Sequence, residues 1–331
     1  VLFTLCLNVN AQKKAKLSAK EIGLQSISKA SAEAYVSFLA SDELEGRESG
    51  FHGSRIASQF IVSQLKLMGI KPLYDTYFQN YEIYCADKHL RKSYQSDPDS
   101  IAALKKTFHR KLSVRNVLGM IPGKNSNEYV IVGAHFDHVG IDPTLEGDQI
   151  YNGADDNASG ASAVLQIARA FALSGVQPER NIIFAFWDSE ERGLMGSGSH
   201  YFVQNCSFVN NIKGYLNFDM VGRDNKPEEP QYMVFFYTEA HPAFGEWLKS
   251  DIVKYRLDLH PNYRPWDKPV GGSDNSAFAL KGIPILWYHT DYQPDMHRPT
   301  DHADKINYNK LTDITKAGFL NMWNLANIEK Y

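Results

Sequence analysis

Short apolar runs at residues 129–134, 181–187, 215–218, 232–236 and 283–287 alternate with longer stretches at 159–173, 194–204, 241–255, 273–280 and 309–328, where apolar residues recur at helical spacing. Strands that alternate with helical segments build an α/β sheet. The expected fold is α/β, with a mixed, mostly parallel central sheet flanked by helices. A second regularity says where its site should lie. His135 and Asp137, Asp188 to Glu191, Asp219 and His289 each stand just past one of the apolar runs. In open α/β sheets the crevice beyond the carboxyl ends of the strands is where sites are built, so residues far apart in the chain can meet there.

Ahead of this alternating part, residues 32–40 and 54–68 carry helical apolar spacing, the second ending at Gly69, and form an N-terminal helical section packed on the sheet. Residues 88–111 are polar, rich in Lys, Ser and Asp, and contain Asp97-Pro98, which reads as an exposed excursion. The start of the chain is an apolar run at 1–9, then Asn10-Ala11-Gln12 and a Lys-rich stretch at 13–20. That order resembles the end of a secretory signal peptide cleaved after Ala11, with a short buried strand as the other reading. A leader at 1–11 would leave 12–331 as one domain and place the protein in the periplasm or outside the cell.

With 43% hydrophobic and 22% charged residues over 331, the chain has an ordinary globular make-up. A formal net charge of −3 provides no general basic field, so neither nucleic acid nor an anionic membrane surface is indicated as a partner. No internal apolar run is long enough for a membrane span. Past the leader only Cys85 and Cys206 remain, as one disulfide or as two buried thiols. Without a cysteine cluster, any metal must be held by His, Asp and Glu.

His135-Phe136-Asp137-His138 closes the first apolar run. If strand geometry persists, His135 and Asp137 share one face and His138 points to the other. His135 is then the candidate ligand, with Asp137 as the carboxylate that fixes its tautomer. Asn152-Gly153-Ala154-Asp155-Asp156-Asn157 puts two adjacent carboxylates in a glycine-bracketed turn before a helix. Asp156 and Asn157 suit a helix cap, which leaves Asp155 free to bridge two ions. Glu190-Glu191 offers the pair that a metal hydrolase needs, one carboxylate on metal and one free to move a proton. Asp219 and His297 are ordinary one by one; their order along the chain makes the difference.

Glu190-Glu191-Arg192-Gly193-Leu194-Met195-Gly196-Ser197, Asn217-Phe218-Asp219-Met220, Ser273-Asp274 before a helix and His297-Arg298-Pro299-Thr300-Asp301, following the Asp-Asp turn, together resemble the zinc aminopeptidase family M28. The resemblance runs from Leu39 to the C-terminus and includes Leu44-Glu45-Gly46-Arg47 and Gly69-Ile70-Lys71-Pro72. It departs at Asn275, where the family often has a histidine, and in the excursion at 88–111. It implies the zinc-exopeptidase architecture, with two zinc ions per chain. Asp155 would bridge them, His135 and Asp219 would complete one site, and Glu191 and His297 the other. Glu190 would be the general base in removing N-terminal residues from peptides. Three carboxylates packed together without cations would repel, whereas two divalent ions balance Asp155, Glu191, Asp219 and a hydroxide.

A single-zinc glutaminyl cyclase on the same fold and a non-catalytic peptidase-fold binding module are the alternatives. His138 and His289 have supporting or packing roles in this reading, and Asp301 orients His297. The substrate pocket is expected from loops at 201–211, 221–232 and 288–295, with Tyr288, Tyr292 and Trp266 either lining it or filling the core. Residue preference and oligomeric state leave no signal in the chain.

Overall fold

Helix α1 (Ala19–Ser26) begins at a capping box, in which Ser18 Oγ accepts from the Glu21 N–H while the Glu21 carboxylate accepts from the Ser18 N–H. The computed structural model describes residues 17–86, 93–266 and 272–331; the expected leader at 1–11 lies outside them. Helix α2 (Lys29–Leu39) is capped by Ser28, and α3 (His52–Leu67) ends two residues before Gly69, whose φ of +74° suits glycine at a helix terminus. Strands β1 (Lys71–Pro72) and β2 (Phe78–Ala86) follow. The excursion is more regular than its polarity suggests. Asp97-Pro98 opens a helix, α4 (Pro98–Leu104), with the Asp97 carboxylate accepting from the Ser100 N–H and proline in the first turn, where its missing N–H costs nothing.

The polar stretch then runs straight into β3 (His109–Ile121), which pairs antiparallel with β2 on one side. Next come β4 (Asn125–His135), a small hairpin of β5 (Gly140–Ile141) and β6 (Ile150–Tyr151), helix α5 (Gly160–Ser174) and β7 (Arg180–Trp187). The expected helix at 194–204 is shorter. Residues 190–192 and 194–196 form separate 3₁₀ turns around Gly193, and α6 (Gly198–Asn205) starts only where Ser197 caps it. The chain closes with β8 (Ile212–Phe218), β9 (Tyr232–Tyr237), α7 (Ala243–Tyr255), β10 (His260–Pro265), α8 (Asn275–Ala279), β11 (Ile285–His289) and α9 (Tyr308–Asn327).

The main sheet runs β1-β3-β7-β4-β8-β11-β9-β10, with β2 also paired to β3. Its centre, β7-β4-β8-β11, is parallel, and β3 and β9 join antiparallel on either side of it. Central strands covered on both faces read as continuous apolar runs, and every residue of β7 is buried. Their side chains nonetheless divide by parity. Val130, Val132, Ile182, Phe184 and Phe186 pack with α2, α3, α5 and α9, while Ile131, Ile183, Ala185 and Trp187 pack with Phe202 of α6 and Phe278 of α8. Burying each such side chain is worth about 1.5–3 kcal/mol.

Gly133 in mid-strand makes room for the second layer: a Cβ there would lie 2.6 Å from Trp187 Nε1 and 3.0 Å from the Tyr215 hydroxyl. Cys85 and Cys206 are both free and buried, in separate apolar clusters. Among the described residues no helix is long and apolar enough to cross a membrane.

Candidate metal centre

Parallel strands deliver their carboxyl ends to one edge of the sheet, and the acidic and histidine residues converge there. His135 is the last residue of β4, Asp219 follows β8, and Glu191 lies in the 3₁₀ turn after β7. His135 Nε2 is 3.4 Å from Asp156 Oδ1 and 3.7 Å from Asp219 Oδ1. On the other side, His297 Nε2 is 3.0 Å from Asp156 Oδ2 and 3.0 Å from Glu191 Oε1. All are buried except His297, whose side chain is 28% exposed.

The carboxylate between the two groups is Asp156, which corrects the expectation for Asp155. Asp155 faces away from them, and its Oδ1 accepts from the Gly222 N–H at 2.7 Å. Adjacent side chains in a turn diverge, so only one of the two carboxylates can face the histidines. The cap in fact belongs to Asn157, whose Oδ1 accepts from the Gly160 N–H and whose Nδ2 donates to the Phe218 carbonyl. Asp156 is thus free to turn inward.

Asp137 sits 3.6 Å from His135 Nδ1. Its firmer contacts are to the Glu190 N–H at 3.1 Å, the Glu191 N–H at 3.2 Å and the Ser49 hydroxyl at 2.7 Å, so it positions the glutamate pair as well as flanking the histidine. The expected segregation of His138 to the opposite face does not occur. Strand alternation stops at His135, the His138 N–H donates to the Arg47 carbonyl, and the ring turns back so that Nδ1 lies 2.9 Å from Glu191 Oε1. Asp301 does not orient His297 directly; its Oδ2 accepts from the N–H groups of Asp155 and Asp156 at 3.0 and 3.1 Å.

Arg47, a residue whose role local sequence could not disclose, is wholly buried behind the centre. Its guanidinium donates to the carbonyls of Leu39, Phe136, Asn152 and Gly153, so it joins the end of α2 to both the His135 strand end and the Asp156 turn. Burial pulls it down to about 10 against the opposing attraction of Asp156, Asp137, Asp301 and Glu191, so it remains a cation at neutral pH. Arg47→Met removes that charge and leaves buried carbonyls without donors. Removal of one partner from a buried charged network costs about 3–5 kcal/mol. Thermal denaturation should show a loss of roughly 4–7 °C; a midpoint unchanged from the parent would refute this role.

Charge in the centre is unevenly distributed. Burial raises the Glu190 carboxyl, as do Glu191, Asp219 and Asp274, while His135 opposes the rise. Glu191 is brought down to about 2, because contacts with His138 and His297 overcome burial and the repulsion of Asp156. Asp274, fully buried, is pushed up to about 7 by desolvation. Glu190, Glu191, Asp156, Asp219, His135 and His297 border a cavity of about 280 Å³ whose other walls include Leu194, Met220, Trp287, His289, Tyr292 and Met296. His289 is fixed in that wall by the hydrogen bond of its Nδ1 to the Asp219 carbonyl at 2.7 Å.

Among the aromatic residues weighed for the pocket, Tyr292 borders it, whereas Tyr288 is core, stacked on Phe218 with its hydroxyl on Asn321. Trp266 packs on Phe236 instead, and no residue of the 201–211 loop reaches the cavity. A further cavity of about 360 Å³, at Ser54, Arg115 and Asp188, holds none of the residues of the metal group.

The family model for Peptidase family M28 matches residues 116–320, a stretch that contains every member of this group. The chain belongs to peptidase family M28. It is 33% identical over 181 residues to leupeptin-inactivating enzyme 1 of Streptomyces exfoliatus, covering 54% of this chain and 36% of that protein. To an aminopeptidase of Pseudomonas aeruginosa it is 40% identical over 138 residues, covering 41% of this chain and 22% of the other. The M28 chain thus spans about a third or less of the length of these relatives.

In three dimensions it resembles the Legionella pneumophila LapA aminopeptidase, with a TM-score of 0.68 and 19% identity over 99% of this chain and 80% of that one. The zinc aminopeptidase BSAP of Bacillus subtilis gives 0.69 at 16% identity over 92% and 97%. A glutaminyl cyclase of Porphyromonas gingivalis gives 0.62 at 17% over 90% and 99%. At these identities the likeness is one of fold, and it agrees with the mixed sheet described above.

Proposed function

We propose that this M28 chain is a zinc-dependent aminopeptidase that holds two ions, one among His135, Asp156 and Asp219 and the other among Asp156, Glu191 and His297. The observation that carries the reading is the Asp156 carboxylate, which turns one oxygen toward each histidine. The donor set fits: imidazole nitrogens and carboxylate oxygens are zinc ligands, and buried carboxylates packed this closely call for compensating cations. When bound, such ions supply Lewis acidity, polarising the scissile carbonyl and acidifying water.

Glu190 belongs to neither ligand group, yet it is half-buried on the cavity wall with its carboxyl raised. It takes the proton of the attacking water as oxygen adds to the carbonyl carbon. It returns that proton to the amine nitrogen as the C–N bond breaks. The negative charge of Glu190 and Asp219 at the cavity suits a substrate α-ammonium group. Leu194, Met220, Trp287 and Met296 suit an apolar first side chain. Relatives named leucine aminopeptidase, such as one of Trichophyton equinum that is 34% identical over 174 residues, support that preference.

The test is a panel of leucyl, phenylalanyl, lysyl and glutamyl amides with and without a chelator, plus a peptide beginning with glutamine. Leucyl and phenylalanyl amides should be cleaved fastest, with activity lost to chelation and restored by zinc. Cyclisation of the glutaminyl peptide with ammonia release, without amide hydrolysis, would replace this reading by a glutaminyl cyclase. Two bound ions with no turnover of any substrate would leave a binding module.

A further inference from the structure

His135, Asp156 and Asp219 are held by the ends of paired strands and by the turn that Arg47 clips, but His297 has no such support. It lies in the loop between β11 and α9 at a φ of +52°, a left-handed backbone that a non-glycine residue adopts only when its surroundings impose it. Its neighbours show what imposes it. Asp295 and Asp301 bracket the histidine in sequence, and both face one guanidinium. Arg223 Nη2 donates to Asp295 Oδ2 at 2.7 Å, and Nη1 lies 3.7 Å from Asp301 Oδ1, with the arginine side chain only 12% exposed.

Arg223 stands at the end of the segment that begins at Asp219, and the N–H of Gly222 just before it holds the Asp155 carboxylate. Asp301 in turn receives the Asp155 and Asp156 N–H groups. The Asp219 segment, the Asp156 turn and the His297 loop therefore meet at this one cation. Lys305 closes the loop from its far side, 3.0 Å from Asp295 Oδ2.

We propose that Arg223 is a positioning residue for the His297 side of the metal centre, setting the affinity of the second ion while leaving the first nearly untouched. The asymmetry follows from the supports. His135 is paired with Trp187 of β7 and the Asp219 N–H donates to the Tyr288 carbonyl of β11, contacts that do not involve Arg223. His297 reaches Asp156 and Glu191 only if its loop is drawn down onto the sheet edge, and the Arg223–Asp295 contact does this. Loss of a group that orients a ligand typically costs 10–100-fold in metal affinity. The inference rests on the two-ion reading above.

The experiment uses the full chain stripped of metal and titrated with zinc against a chromophoric competitor, with turnover measured at stoichiometric and at excess zinc. The parent should bind two ions. In Arg223→Gln the tighter site should stay within about threefold, the weaker should lose about 10–100-fold, and kcat should recover with excess zinc. Arg223→Lys should be partly rescued, because one donor can still reach Asp295. Asp295→Asn, which removes the charge from the same contact on its other side and leaves the guanidinium in place, should reproduce the selective loss in weaker form. Retention of the tighter site is itself the check that the variants are folded. Parent-like binding of both ions by Arg223→Gln and Asp295→Asn, or equal loss of both, overturns the role of Arg223. A parent that binds a single ion overturns the two-ion reading and this inference together.

Discussion

Asp156→Asn is expected to leave the protein unable to retain either ion and to lower kcat/KM at least about a thousandfold, since the ions supply several kcal/mol of transition-state stabilisation. The substitution preserves shape, but a carboxamide has one acceptor oxygen and an NH2 group where the centre requires two anionic oxygens. Asp156 Oδ1 lies 3.4 Å from His135 Nε2 and Oδ2 lies 3.0 Å from His297 Nε2, so both halves lose an oxygen partner or its charge. Asp155→Asn is the matched control. Its carbonyl oxygen can still accept from the Gly222 N–H, and loss of its charge relieves repulsion, because burial and the nearby Asp301 hold this carboxyl well above the usual range. Metal content by elemental analysis and turnover of a leucyl amide decide between the two. If Asp155→Asn loses the ions and Asp156→Asn keeps them, the bridging assignment is wrong.

Glu190→Gln should keep the full metal content and lose about 10²–10⁴ in kcat, the range that proton transfer by a positioned side chain contributes. The pH profile offers a second readout. A general base works in its deprotonated form, and burial and neighbouring carboxylates raise Glu190 above the ordinary glutamate value. The acidic limb of the parent profile should therefore lie at higher pH than for an exposed glutamate, and it should flatten in the glutamine variant. Bound cations act in the opposite direction and moderate the displacement. Metal content, kcat at saturating substrate and the pH profile of kcat/KM can be measured on one preparation. Turnover within tenfold of the parent would remove Glu190 from the mechanism.

Much of this centre could be read from sequence because it sits where parallel strands end. His135, Asp219 and the Glu190-Glu191 pair each close or follow an apolar run, and the sheet brings such ends together. The Asp155/Asp156 choice could not be made that way, since a one-residue difference within a turn reverses which side chain points inward. Strand alternation does not place His138, because β4 stops at His135. The excursion is exposed along α4, as its polarity indicates, with no buried residue there; polarity does not disclose that Asp97 and Pro98 also start a helix and that β3 emerges from the same stretch. Arg47 lies in the Leu44-Glu45-Gly46-Arg47 motif, but its contacts to Asn152 and Gly153, like that of Arg223 to Asp295, join residues more than seventy positions apart, so the local pattern does not disclose what either arginine holds.

The Arg47 clip also makes the centre depend on a part of the chain that contributes none of its candidate ligands. The β4 end and the Gly153 turn belong to the sheet portion of the chain, but the side chain that ties them together arrives with the N-terminal helical segment. A sheet that had paired all its strands without α2 docked would present both halves of the centre unjoined, with Asp137 lacking Ser49 and the Asp156 turn lacking its clasp. The geometry of the centre thus depends on the first third of the chain being seated against the strand end and turn of the middle third.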